Sequence, residues 1–200
     1  MQAKTLIHTV KYFLGIDSAD TQTSLNERDA LKHLAKNASK VLEIGVFEGH
    51  STKLLAESMS SSGILYAIDP FFAGRLGISY GELISRSQIS KACQQNKGVR
   101  VKILKDLSHI VAQKNTDLCD LDLIFIDGDH SLEGITRDWQ DWSERVKKGG
   151  VIALHDTKVP AYNPNVANLG SFQYFESHIK HDQGYELLEQ IDSLSVLQRK

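Results

Sequence analysis

Short apolar runs alternate with longer amphipathic segments along most of the chain. "KVLEIGV", "GILYAID", "VRVKIL", "LDLIFID" and "VIALHD" are of strand length and rich in Val, Ile and Leu. Between them, "HSTKLLAESM", "ELISRSQISKACQQN", "LSHIVAQK" and "LEGITRDWQDWSERVKK" read as helices. In the last, Ile135, Trp139, Trp142 and Val146 fall at i, i+4, i+7 and i+11, a single apolar face. That pattern makes both Trp side chains core residues, turns Asp138 and Asp141 to solvent, and ends the helix at Gly149-Gly150. Upstream, Ser24 and Glu27 are the S-x-x-E of a capping box opening a helix over 24–37. Downstream, "SFQYFESHIKHD" reads as a helix and "YELLEQIDSLSVLQRK" as two strands turning at Asp192-Ser193.

This alternation predicts an α/β fold, Rossmann-like and doubly wound. Its seven-stranded sheet is mostly parallel, covered on both faces, and finished by a C-terminal antiparallel hairpin. Three prolines and no repeat leave little room for a linker, so one domain over 1–200 is expected. Its parts are an N-terminal helical segment (1–37), a cofactor-binding core (38–157), and a lid loop with the hairpin (158–200).

Composition changes the picture only at its edges. The chain is 41% hydrophobic and 24% charged, ordinary for a globular protein. A net charge of -2 without a basic block argues against a nucleic-acid or anionic-membrane surface. No apolar stretch approaches the roughly 20 residues that cross a bilayer. Cys93 and Cys119 form neither a metal motif nor a disulfide framework, which suits a cytoplasmic protein with reduced thiols.

The chemistry gathers where strands end. In open α/β sheets, ligands bind outside the carboxyl ends of the strands, near the switch in strand order. Polar residues stand at those ends: Glu43 with Gly45, Asp69, Asp106, Asp127-Gly128-Asp129-His130, and His155-Asp156. In a parallel sheet they share one rim. Gly45 and Gly49 permit a tight strand-to-helix turn, and Asp69 closes the next strand where a ribose would be held. The dinucleotide pattern G-x-G-x-x-G is not met, because Phe47 occupies its second glycine. Glu43 and Glu48 suit a cationic ligand better than a pyrophosphate.

On these residues the chain resembles the class I S-adenosylmethionine-dependent methyltransferases. "VLEIGVFEGHSTKLLAE" is similar to their first motif and "LYAIDP" to their second. "IDGDHSLEGITRDWQDWSERVKKGGVIALHD" resembles a branch with an "IDGDH…GG.I..HD" pattern, grouped with small-molecule O-methyltransferases, several metal-dependent. The resemblance implies Glu43, Gly45, Gly49 and Ser51 near the methionine and sugar of the cofactor. It implies Asp69 on the ribose, Pro70 and Phe71 beside the adenosine, and Asp106 with Leu107 at the adenine. Asp106 has a compatible second role as a helix cap.

Methyl transfer to a hydroxyl needs its proton removed, by a base or with a divalent cation that lowers its pKa. Asp127, His130 and His155 are the catalytic candidates, with Asp127 also at the cofactor. Asp127, Asp156 and His155 are the candidate ligands of Mg²⁺ or Mn²⁺, and His155 shifts the preference from Mg²⁺ toward softer ions. Structural readings stand beside these: His130 bonded to backbone, and Asp129 capping the helix near Leu132.

"FFAGRLGISYGE" and "TKVPAYNPNVANLGS" are lid-length loops, with Arg75, Tyr80, Tyr162 and Asn163 as candidate contacts of a small-molecule acceptor. The N-terminal segment, with Ile7, Val10, Phe13 and Leu14, packs over the site or on a second copy in a homodimer. The rival readings are a nicotinamide-dependent oxidoreductase and a nucleoside-binding module without chemistry.

Overall fold

The structure is a computed structural model that describes residues 2–74 and 77–200. Seven strands form its sheet: β1 (Lys40–Ile44), β2 (Ile64–Ile68), β3 (Arg100–Leu104), β4 (Leu121–Ile126), β5 (Val146–Leu154), β6 (Tyr185–Ile191) and β7 (Leu194–Arg199). Their spatial order is β3-β2-β1-β4-β5-β7-β6. The first five run parallel, and β7 pairs antiparallel with both β5 and β6. The expected doubly wound sheet with a C-terminal hairpin is therefore the observed one.

Period-two alternation explains how both faces are covered. Leu42, Ile44, Ile124 and Ile126 point to one face, where they meet Trp139 and Trp142 of α6 (Leu132–Trp142) and Phe175 of α7 (Gly170–Ser177). Val41, Leu123 and Phe125 point to the other, against Leu31 of α2 (Leu25–Ala35) and Leu55 of α3 (His50–Ser58). A strand buried on both sides needs the continuous apolar run seen in "LIFI". The remaining helices are α1 (Gln2–Phe13), α4 (Tyr80–Gln95) and α5 (Ser108–Lys114).

The capping box forms as expected: the Ser24 side chain accepts from Glu27 N, and the Glu27 carboxylate accepts from Ser24 N at 2.7 Å. Three local expectations are corrected. The α6 helix stops at Trp142, followed by a 3₁₀ turn over Ser143–Arg145, so Val146 begins β5 instead of extending a helix face. The Gly149-Gly150 pair lies inside β5, where the register against β4 shifts between Leu121 and Leu123 and Gly149 takes φ +76°. The glycines accommodate an irregular strand, not a helix end. Asp138 faces inward at 5% exposure, beside Ile135 and Trp139, because i+3 from Ile135 belongs to the same helix face.

α1 packs against α4, with Tyr12 Oη within hydrogen-bond reach of Ser87 Oγ at 3.1 Å and accepting from Lys91 Nζ at 3.0 Å. Ile7, Val10, Phe13 and Leu14 are exposed. No helix among the described residues is long and apolar enough to cross a membrane.

Candidate active site

The register aligns Ile68, Ile44, Ile126 and Leu154 across β2, β1, β4 and β5. One residue further along each strand come Asp69, Gly45, Asp127 and His155. These four stand in a row across the sheet's carboxyl rim, at the point where strand order reverses between β1 and β4. Backbone bonds continue the row: Gly45 N donates to Ile68 O, Asp127 N to Ile44 O and His155 N to Ile126 O, at 2.8–3.0 Å. Gly45 is required here. Its φ is +92°, and a Cβ would lie 2.1 Å from Asp127 O.

A cavity of 850 Å³ opens above the row, within the range that encloses a nucleoside-sized ligand. Its lining includes Gly45, Ser51, Asp69, Pro70, Leu107, Asp127 and His130, seven of the residues singled out in the sequence. Asp69 organises one half. Its Oδ2 accepts from Val46 N and Phe47 N at 2.9 and 3.0 Å, and its Oδ1 accepts from Phe71 N at 2.7 Å. A carboxylate has about four acceptor sites, so one remains for a ligand hydroxyl. Gly49 stands behind the wall, at φ +77°, as the N-cap of α3. Glu43 is buried beneath it, and neither of its carboxyl oxygens has an aligned hydrogen-bond partner. Burial pushes Glu43 up to about 8, against the nearby Ser51 and Thr52 hydroxyls.

The other half is a charge cluster. His155 is 3% exposed and does not line the cavity. Its Nδ1 lies 2.9 Å from Asp127 Oδ1 and its Nε2 3.4 Å from Glu27 Oε2. Neither nitrogen meets an aligned hydrogen-bond partner, so these contacts are ion pairs. His130 Nε2 approaches the same Asp127 oxygen at 3.5 Å. Burial disfavours a charged His155, but Asp127 and Glu27 outweigh it and push the ring up to about 10. Burial works against Asp127 as well, and the two imidazoles hold its carboxyl below the usual range. Asp127 in turn raises His130. Glu27 is wholly buried; His155, Ser193 and Ser24 overcome that burial and hold it down at about 2.

The ligand atoms of Asp127, His130 and His155 lie within 4.8 Å of one another. Two imidazoles with one carboxylate suit a borderline cation such as Mn²⁺, Fe²⁺ or Zn²⁺ better than Mg²⁺. One ring nitrogen of His155, buried without an aligned hydrogen-bond partner, fits that chemistry once a cation displaces its proton. Asp156, at φ +52°, stays 3.8 Å from each ring and outside the trio.

The profile of a methyltransferase-domain family matches residues 42–157, more than half the chain. The chain belongs to that family. A mimivirus protein of Acanthamoeba polyphaga mimivirus, uncharacterized protein R132, is 26% identical over 157 residues, 72% of this chain and 68% of its own. An O-methyltransferase from Bacillus cereus, solved with SAH, superposes with a TM-score of 0.66 at 22% identity, covering 98% of this chain and 91% of its own. The O-methyltransferase TomG from Streptomyces achromogenes, solved with SAM, gives 0.60 at 17%, covering 98% and 89%. Hydride transfer to a nicotinamide is not the chemistry of this family.

In this methyltransferase, four residues sit elsewhere than expected. Asp106 does not line the cavity; its carboxylate accepts from Lys114 Nζ at 2.7 Å and Leu107 N at 2.9 Å. It does not cap α5, whose N-cap is Leu107. Ser131, not Asp129, caps α6 and bonds to Gly134 N, while Asp129 accepts from Ser131 N. Of the lid candidates, Tyr80 lines the cavity, Tyr162 and Asn163 are exposed outside its lining, and Arg75 lies outside the described residues.

Two acids named in the sequence, Glu27 and Glu48, have long-range roles that it did not show, and Glu48, expected to face a cationic ligand, does not line the cavity. Glu27 serves both the capping box and His155, and its Oε1 accepts from Ser193 N and Oγ at 2.7 Å. Its only signal was helix capping. Glu48, nearly buried, accepts from Asp20 N at 2.7 Å and contacts His8 Nε2 at 3.0 Å. That clasp ties the N-terminal segment over the Gly45–Gly49 turn, so Thr5, Asp20, Thr21 and Gln22 line the cavity. Nothing local in the sequence pairs residues so far apart.

Proposed function

We propose that this methyltransferase moves a methyl group from S-adenosylmethionine to an oxygen of a small molecule. The observation that carries the reading is the rim row Asp69–Gly45–Asp127–His155, whose first three members line one cavity. Asp69 takes the ribose, and the Gly45 turn with Ser51 takes the methionine end. Asp127 closes backbone to backbone on that turn while its carboxylate faces the two imidazoles. A methyl donor and a proton acceptor then meet within one small volume. The solved relatives with SAH and SAM support the choice of cofactor.

Asp127 and His130 line the cavity and are the groups placed to receive the acceptor's proton. His155 is too enclosed to touch an acceptor, and acts by holding Asp127 ionised and oriented. Where a divalent cation binds, Asp127, His130 and His155 would hold it. It would supply a lowered hydroxyl pKa.

The test is transfer of labelled methyl from S-adenosylmethionine to a panel of catechols, phenols, sugar hydroxyls and amines. Labelling of hydroxyls only supports the proposal; labelling of amines only, or binding of S-adenosylmethionine without transfer to any acceptor class, sinks it. Activity unchanged by chelation and metal-free dialysis would remove the cation from the scheme.

A further inference from the structure

α1 turns its polar face inward. At about 100° per residue, Leu6, Ile7, Val10, Phe13 and Leu14 fall within about 120° of one another on one side of the helix. A helix packed on a globular protein ordinarily turns such a stripe to the core. Here the opposite side is the packed one. Thr9 and Tyr12 are buried, His8 is engaged by Asp17 and Glu48, and Thr5 lines the cavity. The buried hydroxyls have partners: Thr9 Oγ1 donates to Thr5 O at 2.8 Å, and Tyr12 Oη reaches Ser87 and Lys91 of α4.

The apolar stripe is left to solvent. With Ile16 in the bend beyond, its side chains are 44–68% exposed. Together they present on the order of 600 Å² of apolar surface, at the upper end of what a monomer ordinarily shows. Leu83, one turn before Ser87 on α4, lies on the face that meets α1 and is itself exposed, so it widens the patch. A stable protein interface covers about 800 Å² per partner, which this patch approaches.

The stripe does not face the methyl acceptor, because Leu6, Ile7, Val10, Phe13 and Leu14 are absent from the cavity lining. It does not suit an anionic membrane. A helix lying in a membrane surface carries basic residues on its free polar face. The polar face of α1 is folded against the protein, and the turn after it brings Asp17 and Asp20 to the end of the stripe. A second copy fits by symmetry. Leu6, Ile7, Phe13 and Leu14 stand at −4, −3, +3 and +4 from Val10. Two such helices laid antiparallel about a two-fold axis at Val10 set Leu6 against Leu14 of the second copy, and Ile7 against its Phe13. Val10, the smallest side chain of the stripe, then lies at the crossing, where helix axes approach to about 8–10 Å.

We propose that the apolar face of α1 is the contact surface of a homodimer, packed antiparallel on the same face of a second copy. Thr5 lies on the other side of this helix, so the second copy also holds one wall of the cavity in place.

Sedimentation velocity on the full chain, from nanomolar to high micromolar concentration, tests this. The wild type is expected to dimerise at micromolar concentration. Val10→Glu sets two carboxylates together on the axis and is expected to weaken association at least about 100-fold. Ile7→Lys and Phe13→Glu are each expected to weaken it alone. The double variant is expected to recover most of the association, because each lysine then faces a glutamate. A wild type that stays monomeric throughout overturns the proposal without reference to any variant. Flotation of that monomer with vesicles of phosphatidylserine and phosphatidylcholine would give the face to a membrane instead. A dimer that Val10→Glu leaves intact also overturns it, since the contact then lies elsewhere. A double variant as monomeric as its two parents overturns the antiparallel pairing.

Discussion

The two halves of the rim are built from different material. Around Gly45 and Asp69 the geometry belongs to the backbone: amides of Val46, Phe47 and Phe71 converge on one carboxylate, and the turn closes against Asp127 O. Around Asp127 and His155 it belongs to side chains, with Glu27 and His130 supplied from α2 and from the end of β4. A backbone cradle suits an invariant ligand such as a cofactor. A side-chain cluster responds to charge and proton position, which is what an acceptor group requires. The halves meet at Asp127, whose carbonyl serves one and whose carboxylate serves the other.

If that division holds, Asp127→Asn removes charge from one half and leaves the other intact. Turnover on an identified acceptor is expected to fall about 100- to 10,000-fold, with S-adenosylhomocysteine affinity almost unchanged. An equal loss of both would show that the halves are one unit. Gly45→Ala is the opposite cut. Its Cβ has no room against Asp127 O, and φ +92° strains any side chain. We expect a stability loss of about 3–5 kcal/mol in urea melts, together with lost cofactor binding. A melt within about 1 kcal/mol of wild type, judged against ordinary surface variation, would mean the turn is not the rigid cradle described.

The same division decides what the chain alone reveals. The strands, their parallel order and the Gly45–Asp69 turn follow from periodicity, and those local signals place Asp69, Gly45, Asp127 and His155 on one rim. Residues acting through long-range side-chain contacts do not announce themselves. Glu27 reads as a capping residue and reaches His155 only because α2 packs beside the β6–β7 turn, where Ser193 holds the carboxylate. Asp138 illustrates a readable signal that a polarity rule hides. It sits at i+3 from Ile135 and i−4 from Trp142, on the buried face, and charge alone suggested solvent. Asp106 shows the reverse, a strand-end acid drawn to a nearby lysine.

Glu43 lets the cradle be sharpened by pH. Its folded pKa is raised to about 8 from an ordinary 4.5, so the folded state binds the proton more tightly than the unfolded chain. That contribution is full below 4.5 and is lost as pH rises through about 8, at up to about 1.4 kcal/mol per pH unit. Glu43→Gln cannot titrate. Its stability relative to wild type should therefore climb by about 3 kcal/mol between pH 5 and 7. A flat difference across that interval would show that Glu43 finds hydrogen-bond partners when ionised. On the other side of the rim, Glu27→Gln keeps the shape and removes the charge behind His155. About 2 kcal/mol of stability should go, with a larger drop in turnover than in cofactor affinity. Equal drops in both would move Glu27 out of the acceptor half.

The smallest expected effect concerns the strap that spans both halves. His8 joins Glu48 and Asp17 at 3.0 and 3.2 Å, and these pairs are partly open to solvent. Glu48 raises the imidazole above its ordinary 6.5, against the pull of burial, with Asp17 adding to the rise. The sign follows: the clasp contributes fully below 6.5 and is lost as pH climbs through the raised folded value. A partly solvated ion pair of this kind is worth about 1 kcal/mol or less, so His8→Ala should barely shift the global melt. Its effect should appear locally instead. Because Thr5, Asp20 and Thr21 line the cavity, loosening the strap should speed proteolytic cleavage of the first 20 or so residues and hasten release of S-adenosylhomocysteine. Both differences from wild type should shrink at high pH, where the wild-type clasp has itself let go. If cleavage and release are unchanged at pH 6, the strap is held by α1 packing on α4 and the ion pairs are incidental.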